Sequence, residues 1–380
     1  MTNNQQKKKW PRVIISGGGT GGHIFPAVAI ANAIQDKYPQ AQILFVGAKG
    51  KMEMEKVPKA GYPIKGLWIS GLQRSLSVSN LLFPFKVIHS LYKSIQIIKE
   101  FKPHIAIGVG GFASGPLLQA AVWKRIPTLI HESNSYPGIT NKILGKYVQK
   151  ICVAFPNMDK YFPKDKLVIT GNPVRKELVN TENKKQQATE FFKLDTQKPC
   201  ILVIGGSQGA RSINLAIDAA LEKLVELGYQ LIWQTGESYA ATAQQRIAQI
   251  NSPLLQSSAF IYQMDLAYAA ADLVISRAGA MSITEIALLK KPSILVPFPF
   301  AAEDHQTKNA MALVENKAAI LVKDNEVQQQ LLPQLQALLN SPEALKNISD
   351  ALQKFKVDNA SDLILEQVNA LLNTYFGDFN

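Results

Sequence analysis

The chain has 380 residues, more than one hydrophobic core usually holds, so two domains of about 150–200 residues are expected. Hydrophobic residues make up 47% of the sequence and charged residues 18%, which excludes an intrinsically disordered chain. The formal net charge of +12 indicates an anionic partner, such as a nucleic acid, an anionic lipid surface or a phosphorylated substrate.

The amino terminus is polar and basic, with three lysines at residues 7–9. The apolar stretch that follows is interrupted by the glycines at residues 17–19, and no apolar run of the chain is long enough to cross a bilayer. We therefore expect neither a signal peptide nor a membrane span, and we expect the protein to reside in the cytosol.

Short β-branched runs alternate with amphipathic stretches along the chain. In the first half these runs are Val13–Ser16, Ile43–Val46, Ile105–Gly108, Thr128–Ile130 and Ile151–Ala154. In the second half they are Ile201–Ile204, Leu231–Gln234, Leu273–Ser276 and Ile294–Val296. The alternation predicts strand–helix–strand units, and hence an α/β fold with mostly parallel sheets.

The turn-forming residues Gly171–Pro173 follow a strand-like run and mark the expected domain boundary. The amino-terminal domain is predicted to span residues 1–172 and the carboxyl-terminal domain residues 173–355. Within residues 356–380, the segment Ala360–Tyr375 carries apolar residues at helical spacing. We expect this segment to form an amphipathic helix that packs back on the amino-terminal domain.

The first predicted strand ends in the segment GGGTGGH, Gly17 to His23, which leads directly into a predicted helix. Backbone N–H groups and the helix dipole converge at such a turn, so it can cradle a phosphate. The segment matches GxGxxG, but Val46 at the end of the next strand is not followed by the acid that a dinucleotide site requires. A Walker loop is also excluded, because His23 and Ile24 follow the last glycine. The alternative is a tight turn without a ligand.

Two further glycine clusters follow strands and open helices: GVGGFASGP, from Gly108 to Pro116, and GGSQGAR, from Gly205 to Arg211. The carboxyl ends of parallel strands meet at one edge of a sheet, where open parallel sheets bind their ligands. We therefore expect one phosphate-binding edge in each domain and two phosphorylated ligands in one cleft.

Two later segments carry polar residues suited to a nucleotide sugar. SRAGAMSITE, Ser276 to Glu285, closes a strand and opens a helix whose N–H groups are placed to hold a diphosphate. Glu285 is placed to accept hydrogen bonds from ribose hydroxyls, although an acid near a helix N-terminus is also a common structural feature. PFPFAAEDHQTKNA, Pro297 to Ala310, follows a buried strand and is expected to direct Gln306 and Asn309 toward a sugar.

Together these segments resemble the signatures of the MurG family, UDP-N-acetylglucosamine transferases of the two-domain GT-B superfamily that convert lipid I into lipid II. The resemblance also includes HESNSYPG, His131 to Gly138, and GNPVR, Gly171 to Arg175, and it spans nearly the whole chain in order. It implies two Rossmann-like α/β domains whose parallel sheets face a deep interdomain cleft. One departure is Phe112, where many relatives carry Tyr.

The resemblance implies that UDP-N-acetylglucosamine binds mainly to the second domain, with Ser207 at the diphosphate, Arg175 near the nucleotide and the backbone of Ile261 at the uracil. Residues 280–282 would cap the phosphates, and residues of the first domain would complete the site. The full set implied for the donor is Thr20, Gly21, Gly22, Asn134, Arg175, Ser207, Ile261, Ala280, Met281, Ser282, Glu285, Gln306 and Asn309.

The implied reaction is an inverting displacement, in which the 4-hydroxyl of the muramyl sugar of lipid I attacks the anomeric carbon and UDP leaves. The residues implied for the acceptor are Gly18, Gly19, Gly110, Gly111, Phe112 and Ser114. Related enzymes stabilise the leaving diphosphate without a metal, and this chain has no DxD motif. We therefore expect no metal ion and no cofactor.

His23 is the candidate general base, because an imidazole accepts a proton near neutral pH. The alternative is that His23 caps the helix or donates to a phosphate. His131, which we expect in a polar loop, is assigned a structural role.

The stretch Trp68–Ile98 mixes apolar residues with Arg74, Lys86 and Lys93. Its apolar members are Leu81, Leu82, Phe83, Phe85, Leu91 and Tyr92. A surface that is both apolar and basic is typical of a peripheral protein on an anionic bilayer. We therefore expect attachment to the cytoplasmic face of the cell membrane, with other cell-wall synthesis proteins as candidate partners. The alternative is that these residues form the core face of a long helix.

Two other functions stay open at this point. A UDP-N-acetylglucosamine 2-epimerase, or another GT-B enzyme, would share the fold and the nucleotide, but an epimerase would need no acceptor. A basic nucleic-acid-binding protein would bind oligonucleotides in a salt-sensitive manner. The sequence lacks aromatic and basic residues interleaved on short strands, so we expect no nucleic-acid partner.

Overall fold

A computed structural model describes residues 10–71, 82–174, 178, 184–206, 208–377 and 379. The chain divides into two compact units. The first comprises Met1–Pro173 and Asn359–Asn380, and the second comprises Val174–Asp358. Each unit contains one parallel sheet surrounded by helices, which confirms the predicted α/β fold.

The first unit is built on a seven-stranded sheet. Its strands are β1 (Arg12–Ser16), β2 (Gln42–Ala48), β3 (Ile64–Leu67), β4 (Ile105–Gly108), β5 (Thr128–Glu132), β6 (Lys150–Val153) and β7 (Leu167–Ile169). Its helices are α1 (Gly21–Lys37), α2 (Glu53–Lys59), α3 (Phe83–Phe101), α4 (Ser114–Trp123), α5 (Ile139–Leu144) and, from the end of the chain, α14 (Ala360–Phe376). The strand order is β3-β2-β1-β4-β5-β6-β7, so the direction of winding reverses between β1 and β4.

The core of the first unit lies on both faces of its sheet, because successive side chains of a strand point to opposite faces. In β1, Val13 and Ile15 pack in a cluster with residues of α1 and α14, whereas Ile14 packs in a second cluster with residues of α3 and α4. The side chains of Val13, Ile14 and Ile15 are fully buried. A strand that is covered on both faces is continuously apolar, which is why the sequence shows a run rather than an alternation.

Helix α14 contributes to the core of the first unit. Ile364, Val368 and Leu372 lie in the same cluster as Val13 of β1. The Tyr38 hydroxyl also donates a hydrogen bond at 2.9 Å to the side chain of Asn369 in this helix. The last helix of the chain is thus part of the core formed by β1 and α1, near the beginning of the chain.

The second unit is built on a six-stranded sheet. Its strands are β8 (Cys200–Ile204), β9 (Gln230–Gln234), β10 (Leu255–Ser258), β11 (Leu273–Ser276), β12 (Ser293–Leu295) and β13 (Ile320–Leu321). Its helices are α6 (Lys185–Phe191), α7 (Arg211–Glu226), α8 (Glu237–Ile250), α9 (Met264–Ala270), α10 (Ala280–Leu288), α11 (His305–Val314), α12 (Val327–Leu339) and α13 (Pro342–Leu352). The order β10-β9-β8-β11-β12-β13 places the reversal between β8 and β11.

A membrane-spanning helix must be both long and apolar. Across the described ranges, no helix combines the length and the apolar character that crossing a bilayer requires.

Candidate active site

The first group of predicted site residues lies at the carboxyl edge of the sheet in the first unit, where β1 and β4 are neighbours. Ser16 and Gly108, the last residues of these strands, are partners in the parallel register. The segments 17–23 and 110–114 follow directly, so the structure brings them together. The Val109 amide donates to the Ser16 carbonyl at 2.7 Å and ties the two turns to each other.

Helix α1 begins inside the first glycine loop. Its N-cap, Thr20, has an extended backbone and makes no side-chain capping hydrogen bond, and its first turn carries no acidic residue. The amides of Gly21 and Gly22 therefore lie at the positive end of the helix dipole without a side-chain cap. This arrangement suits a phosphate group.

A buried carboxylate lies against Gly18 and Gly19, which were expected to contact the acceptor. Glu53 of α2 is fully shielded from solvent and accepts hydrogen bonds from the amides of Gly19, at 2.9 Å, and Ala48, at 3.0 Å. The Gly19 amide is therefore engaged within the protein, so a contact between Gly19 and a ligand would have to use its carbonyl. Sequence reasoning missed Glu53, which lies five residues beyond the end of β2 and not directly after it.

His23 lies in the first turn of α1. Its Nδ1 is 3.0 Å from the Gly18 carbonyl oxygen and 3.4 Å from the Thr20 hydroxyl. On the other side of the ring, a Cβ at position 110 would come within 2.8 Å of Nε2, and the φ of Gly110 is +95°. Only glycine fits there, so the second glycine loop packs against the imidazole.

The end of β5 contains a buried carboxylate that organises the next turn. Glu132 accepts hydrogen bonds from the amide and the side chain of Asn134, at 3.0 and 3.1 Å. It also accepts from the side chain of Asn141, at 2.9 Å, and from the amide of Gly138, at 3.1 Å. Asn134, a predicted donor contact, is thus held by Glu132, which the sequence analysis did not single out.

His131 lies in β5 and not in the polar loop that we expected. Its side chain is fully buried, and Nε2 is 3.0 Å from the Gly171 carbonyl oxygen. Burial lowers the pKa of His131, and the Gly171 carbonyl and the Glu132 charge oppose that shift only in part. The ring is therefore neutral near pH 7, consistent with a structural role.

Three residues predicted to contact the acceptor lie in the turn before α4 and at its start. Gly111 lies in the turn, and the Phe112 ring is half exposed and rests on the backbone of Gly71. Ser114 is buried, and its hydroxyl is 2.8 Å from the Gly110 carbonyl and 3.0 Å from the Ser16 carbonyl. Ser114 therefore joins the two turns from inside the protein, and Phe112 offers the exposed surface.

The second group of predicted residues lies at the carboxyl edge of the sheet in the second unit, where β8 and β11 are neighbours. The ends of these strands, Ile204 and Ser276, are partners in the register. Arg175 and Ser207, the predicted nucleotide and diphosphate contacts, lie outside the described residues.

The backbone of Ile261 is held by a glutamine from the neighbouring strand. Gln234, at the end of β9, accepts a hydrogen bond from the Ile261 amide at 3.0 Å and donates to the Gly206 carbonyl at 2.9 Å. Of the two backbone groups of Ile261 that were expected to read a uracil, the amide is thus already engaged. Gln234 carries no motif and was not predicted.

Helix α10 begins directly after β11 and its short loop. Its N-cap, Gly279, makes no side-chain capping bond, and the first turn, Ala280–Ser282, carries no acid. These amides therefore form a second open helix N-terminus. Further into the helix, Glu285 is largely buried and accepts a hydrogen bond from the Tyr268 hydroxyl at 3.0 Å.

Arg277 connects the loops that surround this helix start. Its guanidinium pairs with Asp324, donates to the Ser212 hydroxyl at 3.0 Å, and donates to the carbonyls of Val296 and Pro297 at 3.1 and 3.2 Å. A guanidinium with several acceptors is strongly held, because its donors point in fixed directions. Sequence reasoning did not assign Arg277, although it lies inside a quoted motif.

Gln306 and Asn309, the residues expected to contact a sugar, both bind the loop before α10. The side-chain oxygen of Gln306 accepts from the amides of Ala278, at 3.2 Å, and Phe298, at 2.9 Å. The Asn309 side chain is fully buried and donates to the Ala278 carbonyl at 3.4 Å. Asn309 therefore supports the loop from inside the protein. The side-chain NH2 group of Gln306 retains its capacity to donate hydrogen bonds.

Within the described residues, no three His, Cys, Asp or Glu side chains form a group that could hold a metal ion.

Family models match both halves of the chain. Residues 13–153 match the glycosyltransferase family 28 N-terminal domain, and residues 200–364 match the glycosyltransferase family 28 C-terminal domain. The matched segments contain the two sheet edges described above.

The chain is 52% identical, over 363 residues, to the UDP-N-acetylglucosamine--N-acetylmuramyl-(pentapeptide) pyrophosphoryl-undecaprenol N-acetylglucosamine transferase of Cytophaga hutchinsonii. The match covers 96% of this chain and 97% of that protein. The crystal structure of Acinetobacter baumannii MurG is similar with a TM-score of 0.77 and 29% identity, over 95% of this chain and 99% of that one.

A UDP-GlcNAc 2-epimerase from Neisseria meningitidis has a TM-score of 0.64 at 16% identity, over 94% of this chain and 99% of that one, and so shares the fold alone. The predicted identity as a transferase is confirmed, and the epimerase alternative is disfavoured. The chain belongs to glycosyltransferase family 28 and, within it, to the MurG family of N-acetylglucosaminyltransferases.

Proposed function

We propose that this enzyme transfers N-acetylglucosamine from UDP-N-acetylglucosamine to the 4-hydroxyl of the N-acetylmuramyl sugar of lipid I, which gives lipid II. The observation that carries this proposal is 52% identity, over nearly the full length of both chains, to an enzyme named for that donor and that acceptor. The glycine-rich helix starts at the sheet edges of both units support it, since both substrates contain a diphosphate.

The donor is proposed to bind at the second unit, with its diphosphate at the first turn of α10. The three amides of Ala280–Ser282 and the dipole of α10 favour the negative charge that grows on the diphosphate as UDP leaves. Glu285 is proposed to accept from the ribose hydroxyls and Gln306 to donate to the sugar. Ile261 is proposed to contact the uracil through its carbonyl, because its amide binds Gln234.

The acceptor is proposed to bind at the first unit. Phe112 offers a half-exposed ring there. Thr20, Gly21 and Gly22, which were predicted to contact the donor, lie at the first turn of α1, whose uncapped amides suit a phosphate. His23, in that turn, is proposed to take the proton of the attacking hydroxyl on Nε2. The hydroxyl oxygen then bonds to the anomeric carbon as the bond from that carbon to UDP breaks, and the electron pair leaves with UDP.

The enzyme is proposed to attach to the membrane surface and to bind its lipid-linked acceptor there. In α3, Phe85, Ile88 and Tyr92 are exposed by 65%, 66% and 62%, and they recur at helical spacing on one face. Lys86 lies over the half-exposed ring of Trp68, with its Nζ 5.8 Å from the ring centroid. The core face of α3 is formed by other residues of the helix, so the exposed face supports peripheral attachment. The side proposed for this attachment is the cytoplasmic one.

Leu81 and Arg74, which were predicted to share this surface, lie outside the described residues. Of the other predicted apolar residues, Leu82 is exposed, whereas Phe83 and Leu91 are partly buried.

The test of the proposed reaction is a transfer assay with radiolabelled UDP-N-acetylglucosamine and a short-chain lipid I analogue. We expect label in the lipid product only when the acceptor is present, and no conversion of the sugar when the donor is incubated alone. Epimerised sugar in the donor-only reaction would reject the proposal in favour of the epimerase.

A further inference from the structure

Glu53 is a buried acid to which the reaction assigns no part. It is the first residue of α2 and is fully shielded from solvent, and no ion pair with a Lys or Arg of the described residues includes it. Its carboxylate is held by two backbone amides, those of Gly19 and Ala48. Burying a carboxylate is costly even when it is hydrogen-bonded, so an acid in this place indicates a purpose beyond packing.

The amide that binds Glu53 belongs to the same peptide group whose carbonyl binds His23. The N–H of Gly19 donates to Glu53 Oε2 at 2.9 Å, and the carbonyl of Gly18, on the other side of that peptide bond, lies 3.0 Å from His23 Nδ1. Carboxylate, peptide and imidazole thus form one chain of hydrogen bonds. Bonds in such a chain polarise one another, so the carboxylate makes the Gly18 carbonyl a stronger acceptor.

These hydrogen bonds determine which nitrogen of the neutral imidazole carries the proton. A carbonyl oxygen only accepts hydrogen bonds, so His23 Nδ1 must donate to Gly18, and Nε2 is left as the acceptor. The Thr20 hydroxyl could instead donate to Nδ1, but it is farther away, at 3.4 Å. Nε2 lies on the side of the ring that faces Gly110, at the edge of the sheet.

The same geometry accounts for a glycine in the loop. A Cβ at position 18 would lie 2.3 Å from the carboxyl carbon of Glu53, and one at position 47 would lie 2.5 Å from its Cγ. Gly18 and Gly47 therefore leave the space in which the carboxylate reaches the loop. The Glu53 carboxylate can reach the loop only because positions 18 and 47 are glycines.

We propose that Glu53 is a positioning residue for His23: acting through the Gly18–Gly19 peptide, it holds the imidazole with its proton on Nδ1 and so presents Nε2 as the base. The inference rests on the proposed function of His23. The carboxylate of a Ser-His-Asp triad orients its histidine in the same sense, but by direct contact.

Two titratable groups on neighbouring elements bear on His23. Glu53 of α2 acts through the peptide, and His131 of β5 interacts electrostatically with His23. Because burial lowers the pKa of His131, that ring is neutral near pH 7. A change in the pH dependence on altering Glu53 is therefore assigned to the carboxylate.

The direct experiment reads the tautomer of His23 by ¹⁵N NMR of the full chain labelled at histidine, with the signal assigned by its loss in His23→Ala. We expect the neutral ring of the wild-type protein to be protonated at Nδ1. In Glu53→Gln we expect this preference to be lost or weakened. A wild-type ring protonated at Nε2 would overturn the inference, and this result needs no active variant.

Kinetics provide the second test, with Glu55→Gln as the matched control, because Glu55 is an exposed acid on the same helix. In Glu53→Gln we expect kcat to fall about 10- to 100-fold, as for other residues that orient a reactive group, with an unchanged KM for the donor. The acid limb of the pH profile should move to lower pH, because the imidazolium loses a negative partner. A fall by the same factor at every pH would show a merely structural role and overturn the inference.

Two further measurements distinguish a loss of kcat caused by misfolding from one caused by the missing carboxylate charge. Glu53→Asp keeps the charge, so we expect it to recover part of the kcat lost in Glu53→Gln, and thermal melting checks that both variants fold. If His23→Ala retains full activity, the proposed base is wrong, whereas the NMR comparison of the tautomer in the wild type and in Glu53→Gln still decides whether Glu53 orients the ring.

Discussion

At the residue scale, His23 has both an orientation and a place that suit proton transfer. Replacing His23 with Ala should lower kcat about 10²- to 10⁴-fold, since that is the usual contribution of a positioned base. Donor affinity should change far less than kcat, because the donor is proposed to bind mainly to the second unit. The measurement is steady-state kinetics together with UDP binding by calorimetry, and an unchanged kcat would remove His23 as the base.

The buried His131 predicts a pH dependence of stability. Burial lowers its pKa in the folded state, so below about pH 6.5 the unfolded chain binds a proton that the folded chain does not. Its contribution to stability is thus fully present above that pH and is lost as the pH falls through this range. We expect melting temperatures of the wild-type protein to fall between pH 7.5 and pH 5.5.

A matched pair of variants isolates this effect. His131→Gln should be less stable at pH 7.5, since it disturbs a buried site, but its melting temperature should fall less on acidification than that of the wild type. His89→Gln, which alters an exposed histidine of α3, should behave like the wild type. Equal acid sensitivity in all three proteins would contradict the assignment.

At the element scale, the strands of the sheet interiors and the edge strand β7 were predicted from the sequence, whereas the other three edge strands were not. The edge strands β3, β10 and β13 pair on one side only and are mostly half-buried. They therefore lack the continuous apolar run of a strand covered on both faces. The interior strand β1, with three fully buried aliphatic side chains, has that run and was found.

Helix α14 should contribute strongly to the stability of the first unit, although it lies at the far end of the chain. Leu372 is fully buried in the cluster that contains α1, so Leu372→Ala should lower the free energy of unfolding by about 2–5 kcal/mol. Glu366→Ala, on the exposed face of the same helix, should change it by less than about 0.5 kcal/mol. Chemical denaturation measures both, and equal stabilities would show that α14 is not part of the core.

At the scale of the whole molecule, the net charge of +12 and the apolar face of α3 predict binding to anionic membranes. The protein should float with vesicles that contain phosphatidylglycerol and much less with vesicles of phosphatidylcholine alone, because basic residues add to the apolar attraction. The triple variant Phe85→Ser, Ile88→Ser and Tyr92→Ser should lose most of this binding.

The control for the membrane prediction is Phe191→Ser, which removes a half-exposed ring of α6 in the second unit and should leave flotation unchanged. Wild-type protein that stays at the bottom of the gradient with anionic vesicles would refute the prediction.

The sequence by itself determined the class of fold, the family and the positions of the glycine turns. Apolar runs and glycine turns are local properties of the chain, and their order along it is specific enough to indicate both parallel sheets. Gly17–His23 and Ser276–Glu285 could therefore be placed at strand ends from the sequence alone.

Only the tertiary structure decided which backbone and side-chain groups of the predicted site residues remain available to bind a ligand. Glu53 occupies the Gly19 amide, Gln234 occupies the Ile261 amide, and Asn309 is buried beneath the loop that it supports. Each of these contacts joins residues that are distant in sequence and depends on how helices and strands pack. No periodicity or spacing in the chain encodes such a contact, so the hydrogen bonds that orient the site could be read only from the folded protein.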